Sequence, residues 1–520
     1  MSLKQTILDG GRKVLQTPAL MRWVSDDRVM RAAEGVMDAR SRVKAAWRVL
    51  LNGHALPNID PALDELEQSE VRAEPGAPRR RGNGAGAASV EPSAQSADVQ
   101  AAASTDMQAS LRARASLAAV AGRDVLQKCH LFKTADNARK RGIYPYFRPL
   151  DYNDGPTAML EGRRVLMFGS NNYLGLTTHP KVREAAREAI NRYGTSMTGS
   201  RLVNGSMKLH EEFEHKLAEF FGKESALVFT TGYQVNLATC SALLSNKKTV
   251  AVIDRNVHAS LYDGVRLGQA AGARMVRFKH ADPEALERAL ERLEDDEGAL
   301  VITDGVFSAE GEIAKLDQIV PIVKKYDARL LVDDAHALGV IGPGGRGTAH
   351  YFGLADQVDQ IGGTFSKSFA SIGGWLVGER KVLDYIRHFA PSYLFAASAA
   401  PPCVAAAMAA LEVMQQEGWR QEKLRENFTY MRDELKKMGF DLGTTETAVI
   451  PVYIRQDLRT LLVWRDLLEE YGVYTNPFIS PGVPPKHQML RTSYMATHER
   501  EHLDQGLEAL HKVGKKYGVI

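Results

Sequence analysis

Short, unbroken apolar runs bounded by turn residues recur through the middle of this chain: Ala226–Phe229, Val250–Ile253, Ala299–Ile302 and Arg329–Val332. Runs of that length without alternation predict strands buried on both faces, as in parallel sheets. Between them lie helix-length amphipathic segments, Pro283–Leu293 and Leu316–Tyr326 among them. Strand and helix in alternation predict βα units and an α/β fold with a mostly parallel sheet. Beyond about residue 400 the pattern becomes a long helix, a strand over Ala448–Ile454 and a final helix from about Glu499. That suits a smaller α+β domain at the C-terminus.

The first hundred residues read differently. After Ser25-Asp-Asp, a helix N-cap sequence, Val29, Ala33, Val36, Met37, Val43, Trp47 and Leu50 recur at helical spacing. Residues 18–52 are therefore expected to form one or two amphipathic helices. Arg28, Arg31, Arg40, Arg42, Lys44 and Arg48 decorate them, as either a solvated face or a membrane- or partner-docking surface. From Ala73 to Ser110 there is no aromatic residue, leucine or isoleucine. Such a segment cannot bury enough apolar surface to offset its ordering entropy, so a linker is expected. The expected organisation is a helical appendage (1–70), a linker (71–110), an arm (111–165), a large domain (166–400) and a small domain (401–520).

Composition narrows the function classes. A formal charge of +3 over 520 residues gives no argument for a nucleic-acid partner. Three widely spaced cysteines, Cys129, Cys240 and Cys403, make neither a disulfide framework nor a metal site, and a reducing cytoplasm is expected. The N-terminus lacks the apolar core of a signal peptide. Phe389–Leu411 carries no charge and is long enough to cross a bilayer, but Pro391, Pro401 and Pro402 and its many alanines weaken that reading. A buried turn and an alanine-rich interface helix are expected there.

The candidate chemistry centres on Ile361-Gly-Gly-Thr-Phe-Ser-Lys-Ser-Phe-Ala-Ser-Ile-Gly-Gly374. Lys367 stands among hydroxyls and glycines. Those neighbours suit a lysine that condenses with a flat, phosphate-bearing aldehyde: hydroxyls for the phosphate, glycines for close approach, and a dry pocket that lowers the amine's pKa. Upstream, Leu330-Leu-Val-Asp-Asp-Ala-His336 is a buried strand ending in acid and imidazole. A carboxylate beside a pyridine nitrogen keeps that ring protonated, so the pair points to pyridoxal phosphate (PLP). Phe229-Thr-Thr-Gly-Tyr-Gln-Val-Asn236 sets a glycine turn between strand and helix, with Gly232 and Tyr233 as phosphate donors. His258 and Ser308 follow two further strands, and every one of these sites falls at a strand's carboxyl end, where open α/β sheets bind ligands. Gly194–Gly205 is glycine-rich, yet a helix rather than a strand precedes it, which argues against a dinucleotide site.

Taken in order, these motifs resemble the α-oxoamine synthases, PLP enzymes of the aminotransferase-like fold type I. The likeness runs from about Tyr144 to the C-terminus. It includes Phe168-Gly-Ser-Asn-Asn-Tyr-Leu-Gly-Leu176, Gly194–Gly205, the His258 and Ser308 sites, Val332–His336, Gly345-Arg-Gly347 and the lysine segment. Gly363–Ser368, Arg277-Phe-Lys-His280 and Thr230–Tyr233 resemble the serine palmitoyltransferase branch. The resemblance implies that Lys367 binds the cofactor aldehyde, Asp333 pairs with the pyridine nitrogen, His336 contacts the ring hydroxyl and His258 stacks on the ring. It assigns Thr364, Ser366, Gly232 and Tyr233 to the phosphate, Ser308 to the cofactor site, and Arg491 and Asn172 to the substrate. Asp334, Ala337 and Ala396 depart from the residues usual at those positions, which are glutamate, serine and threonine or serine.

The implied reaction joins L-serine to a long-chain acyl thioester, with loss of the thiol and of CO2, giving a 3-keto long-chain base for sphingolipid synthesis. A relative using glycine or alanine with another acyl group is the alternative. A non-catalytic partner subunit is a second, and Lys367, Asp333 and His336 together argue against it. A third makes residues 1–52 a docking module. The implied assembly is a homodimer, with peripheral contact at the inner membrane through residues 18–52.

Overall fold

The computed structural model describes residues 124–520. The amphipathic stretch 18–52, the linker 71–110 and the start of the arm lie outside the described residues.

Seven strands form the central sheet: β4 (Ser225–Phe229), β5 (Thr249–Asp254), β6 (Arg274–Phe278), β7 (Gly298–Asp304), β8 (Arg329–Asp333), β9 (Gln360–Thr364) and β10 (Gly374–Gly378). Their order is β4-β10-β9-β8-β7-β5-β6. Strands β6, β5, β7, β8 and β9 are mutually parallel, and β10 runs antiparallel to both of its neighbours. The centres of β5, β7 and β8 are fully buried, as two-sided burial requires: Val252, Val301, Ile302 and Leu331 expose nothing. Within the described residues, the expected strands and helices fall where the hydrophobic pattern put them. Strand β10 was not foreseen, because Trp375, Leu376 and Val377 stand between glycines and look like a loop. Gly374 permits the contact that hides it, since a Cβ there would lie 2.6 Å from Val235 Cγ2 on the helix Gly232–Leu243.

The parallel register brings functional side chains to one edge. Asp304 pairs across from Asp333, and Asp333 from Gly362. Asp254, Asp304, Asp333 and Thr364 each end their strand, so four polar side chains stand side by side at the carboxyl rim.

Two smaller sheets flank this one. An antiparallel sheet of β11 (Val449–Tyr453), β14 (Met489–Ser493) and β13 (Asn476–Phe478) carries the C-terminal region, with the helices Trp419–Lys437, Asp457–Tyr471 and Arg500–Lys516. Near the start of the described chain, β1 (Leu150–Asn153), β2 (Thr157–Leu160) and β3 (Arg163–Met167) form a meander. Strand β3 is joined in parallel by β12 (Val473–Tyr474). The alanine-rich helix Pro401–Gln416 packs on the helix Pro180–Tyr193 of the same chain, because small side chains let two helix backbones approach closely. Among the described residues no helix is long and apolar enough to cross a membrane.

Candidate active site

Asp333 closes β8 and is buried. One carboxylate oxygen accepts from Asn236 Nδ2 at 2.7 Å and the other from the Ala335 amide at 3.0 Å. Asn236 lies one turn into the helix Gly232–Leu243 and also reaches Ser260 Oγ at 2.8 Å. Ser260 in turn bonds His258 Nδ1 at 2.7 Å, and its amide meets the same nitrogen at 3.3 Å. His258 thereby caps the helix Ala259–Ala270, and its imidazole is fixed through Ser260 and Asn236 to the acid of the next strand but one. The His258 amide donates to Asp304 Oδ1 at 3.2 Å. Burial, then the adjacent Asp333 carboxylate, hold Asp304 far above the ordinary carboxylate range. Burial lowers His258, with Asp333 opposing, although the residue keeps accessible surface at the mouth of the site.

The opposite wall is built from a different set of elements. His336, three residues past β8, meets Tyr173 Oη at 2.7 Å through Nδ1. Burial and the nearby cations Lys367 and Arg491 push this imidazole well below its usual range, so it is neutral. Tyr173 is fully buried and also accepts from Arg491 Nη2 at 3.4 Å. The Nε of Arg491, on β14, donates to the Ser308 carbonyl at 2.7 Å. Arg491 is only 3% exposed, and no carboxylate within the described residues pairs with it. A buried guanidinium held by two neutral oxygens is a site for an external carboxylate.

Lys367 follows β9 by three residues. Its amine makes no hydrogen bond within the described residues. Burial lowers it to about 8; Asp333 opposes the shift and Arg491 adds to it. Beside it Thr364 Oγ1 bonds Ser366 Oγ at 2.9 Å, accepts from the Ser366 amide at 3.1 Å and donates to the Gly373 carbonyl at 3.0 Å. The N-terminus of the helix Gly232–Leu243 abuts these hydroxyls. A Cβ on Gly232 would stand 2.6 Å from Thr364 Cβ, so only glycine allows the approach. Hydroxyls facing a helix N-terminus form a phosphate cradle.

The expected site residues Lys367, Asp333, His336, His258, Thr364, Ser366, Gly232 and Arg491 thus converge at the carboxyl rim. Ser308 takes part through its main-chain carbonyl. Tyr233 is partly exposed, pairs with Asp263 through its hydroxyl and lies edge-on to His258 with centroids 6.3 Å apart. Asn172 is held within its own turn: its Oδ1 accepts from the Leu176 amide at 3.0 Å and its Nδ2 donates to Thr177 Oγ1 at 2.9 Å. The same segment also supplies Tyr173, which sequence reading passed over, as it did Asn236 and Asp304. Tyr173 and Asn236 stand inside segments already singled out and Asp304 follows the Ala299–Ile302 run, but nothing in those sequences says which polar side chain turns toward Asp333 or Arg491.

These residues fit a PLP molecule on this structure's own terms: an uncommitted buried amine, a buried acid with oriented oxygens, and a cradle that a Cβ would fill. Comparison with known proteins agrees. The family described as aminotransferase class I and II matches residues 163–510. A serine palmitoyltransferase of Sphingobacterium spiritivorum is 43% identical over 385 residues, covering 74% of this chain and 95% of that protein. An 8-amino-7-oxononanoate synthase of Thermoanaerobacter pseudethanolicus is 39% identical over 386 residues, covering 74% of this chain and 96% of its own length. A serine palmitoyltransferase structure solved with PLP superimposes with a TM-score of 0.74 at 34% identity, covering 76% of this chain and all of that one. With the site geometry and these relatives in agreement, the chain belongs to the α-oxoamine synthase family within the class I and II aminotransferases.

Proposed function

We propose that this protein is a PLP-dependent C-acyltransferase that condenses L-serine with a long-chain acyl thioester, releasing the thiol and CO2 and forming a 3-keto long-chain base. The observation that carries the amino-acid half is Arg491, a buried guanidinium whose side-chain hydrogen-bond partners among the described residues are the Ser308 carbonyl and the Tyr173 hydroxyl, both neutral. A fork in that state binds a carboxylate at two points and orients the amino acid. The serine palmitoyltransferases among the similar proteins support the choice of substrate.

PLP, when bound, supplies an aldehyde for the amino group and a protonated ring that withdraws electrons from Cα. Lys367 is the amine that would hold the aldehyde. Asp333, fixed by Asn236 and the Ala335 amide, would face the ring nitrogen. Thr364, Ser366 and the amides of Gly232 and Tyr233 would hold the phosphate. Lys367, its amine lowered to about 8 by burial, would be suited to take the Cα proton of the bound amino acid. His336, kept neutral and fixed by Tyr173, would offer the ring hydroxyl a hydrogen bond rather than a charge. His258, tethered through Ser260, covers the mouth of the site.

A second reading has an observation behind it: 8-amino-7-oxononanoate synthases stand only a few per cent lower in identity. An enzyme using another small amino acid and a different acyl group would keep every residue named above. A panel of serine, glycine and alanine against acyl thioesters of graded length, read by product mass, separates the two. Turnover with serine and long chains supports the proposal, and exclusive turnover of alanine or glycine overturns it.

We further infer a homodimer, supported by the exposed aromatic side chains of Phe389 and Phe395, 61% and 78% accessible, and a division into domains near residues 165 and 400. A cytoplasmic site of action with peripheral membrane contact through residues 18–52 completes the proposal; its support is the basic amphipathic pattern of that stretch.

A further inference from the structure

His280 ends the Arg277-Phe-Lys-His segment, and none of the chemistry above uses it. It follows β6 at the far edge of the sheet, yet its imidazole is held on both nitrogens. Nδ1 lies 3.0 Å from Asp254 Oδ1, at the end of β5, and Nε2 lies 3.2 Å from Glu312 Oε2. Its ring also meets Phe307 edge-on, with centroids 4.3 Å apart and planes at 87°. Phe307 and Glu312 belong to one tight hairpin. Val306 bridges Ile313, the Phe307 amide donates to the Glu312 carbonyl at 3.0 Å, and the Gly311 amide donates to the Phe307 carbonyl at 2.9 Å.

That hairpin carries the Ser308 carbonyl, the 2.7 Å acceptor of Arg491 Nε. Its tip is tied to the chain entering β11. Thr447 Oγ1 donates to the Gly311 carbonyl at 3.0 Å and Thr444 donates to Glu312. A Cβ on Gly311 would stand 2.1 Å from the Val449 carbonyl. Strand β11 then pairs with β14, with Pro451 opposite Arg491. The hairpin is thus gripped on one side by the strand pair that bears the guanidinium and on the other by His280.

We propose that His280 is a positioning residue for amino-acid binding, setting the Ser308 carbonyl, and through it the Arg491 fork, by bridging Asp254 and Glu312. This rests on the reading of Arg491 as the carboxylate site. Burial alone would lower His280, but the hydrogen bonds to Asp254 and then Glu312 outweigh it and hold the ring up to about 10. The bridge is therefore an imidazolium between two carboxylates, and a neutral side chain cannot reproduce it.

The test uses full-length holoenzyme. His280→Gln keeps a polar side chain of similar reach and removes the charge; Glu312→Gln removes the same bridge from the hairpin side, without touching β5. Both variants should raise the L-serine KM about tenfold, as loss of one charge-assisted contact does. The kcat and the acyl-thioester KM should stay within about twofold. In an Arg491→Lys background, His280→Gln should add nothing further, because the group it positions is gone. Equal rises in both substrates' KM values, or a fall in kcat with an unmoved serine KM, would overturn the positioning role, as would full additivity with Arg491→Lys. If Arg491→Lys alone leaves the serine KM unchanged, the carboxylate reading itself fails. A normal Arg491 response beside an unmoved His280→Gln overturns only the role of His280.

Discussion

At the scale of single residues, the site works by making ordinary groups behave unusually. Lys367 is held near 8 by burial, and only the neutral amine condenses with an aldehyde. The rate at which cofactor-free protein takes up PLP should therefore climb about tenfold per pH unit below 8 and level above it, followed by the yellow band at roughly 420 nm. A rate flat from pH 6 to 9 would mean that another group limits capture. Borohydride should then fix the cofactor to the peptide containing Lys367 and to no other, and Lys367→Ala should fold but lose turnover. Asp333→Asn should slow exchange of the serine α-hydrogen by orders of magnitude, because an amide cannot keep the ring nitrogen protonated. Asn236→Ala should cost about 1–3 kcal/mol of transition-state stabilisation by freeing the Asp333 carboxylate it fixes at 2.7 Å. His280 gives a prediction with a definite sign. Its folded value is raised to about 10, so its stabilisation is complete below about 6.5 and fades as pH rises through 10. The gap in Tm between wild type and His280→Gln should shrink from pH 6 to pH 10. Much of this chemistry was legible in the sequence because Lys367 and Asp333 carry flanks that only their function explains. Asn236, Tyr173 and Asp304 were not legible, because a polar residue on a helix or at a strand end does not announce which way it points. Nor does the sequence show that the Asn172 amide turns to Leu176 and Thr177.

At the scale of elements, one parallel sheet supplies the geometry. Since register aligns Asp304, Asp333 and Gly362, strands whose sequences share no motif deliver their last residues to a common rim. The strands were readable as continuous apolar runs, and the helices between them by spacing. The glycine-flanked β10 escaped, because its burial depends on the helix Gly232–Leu243 lying close enough to touch Gly374. That same helix makes the element-scale prediction. Gly232→Ala would place a methyl 2.6 Å from Thr364 Cβ, so the helix start must move away from β9. Phosphate held between the two should be bound more weakly, with PLP affinity falling by about tenfold or more. Equilibrium dialysis measures it. Unchanged affinity in a normally folded Gly232→Ala protein would remove the helix N-terminus from the phosphate site.

At the scale of the whole molecule, burial decides what a second subunit and a membrane could touch. The alanine-rich segment was expected to need a partner chain to escape water. Its helix Pro401–Gln416 packs on Pro180–Tyr193 of the same chain, so the case for a dimer passes to two exposed side chains before it, Phe389 at the end of the helix Arg380–Phe389 and Phe395. Replacing both by serine should shift the protein toward monomer in sedimentation velocity, since each large aromatic buried at an interface contributes about 1.5–3 kcal/mol. An unshifted dimer would place the interface elsewhere. The membrane argument is independent of the dimer. Donor and product are amphiphiles, no described helix spans a bilayer, and residues 18–52 carry a basic amphipathic pattern. A cationic amphipathic segment binds anionic lipid through both its apolar positions and its arginines, and the second contribution is screened by salt. Full-length protein should therefore float with anionic vesicles at low ionic strength and progressively less as salt rises. A chain beginning at residue 111 should stay in the dense fraction throughout. Equal flotation of the two would assign lipid contact to the catalytic region and leave the basic stretch without a membrane role.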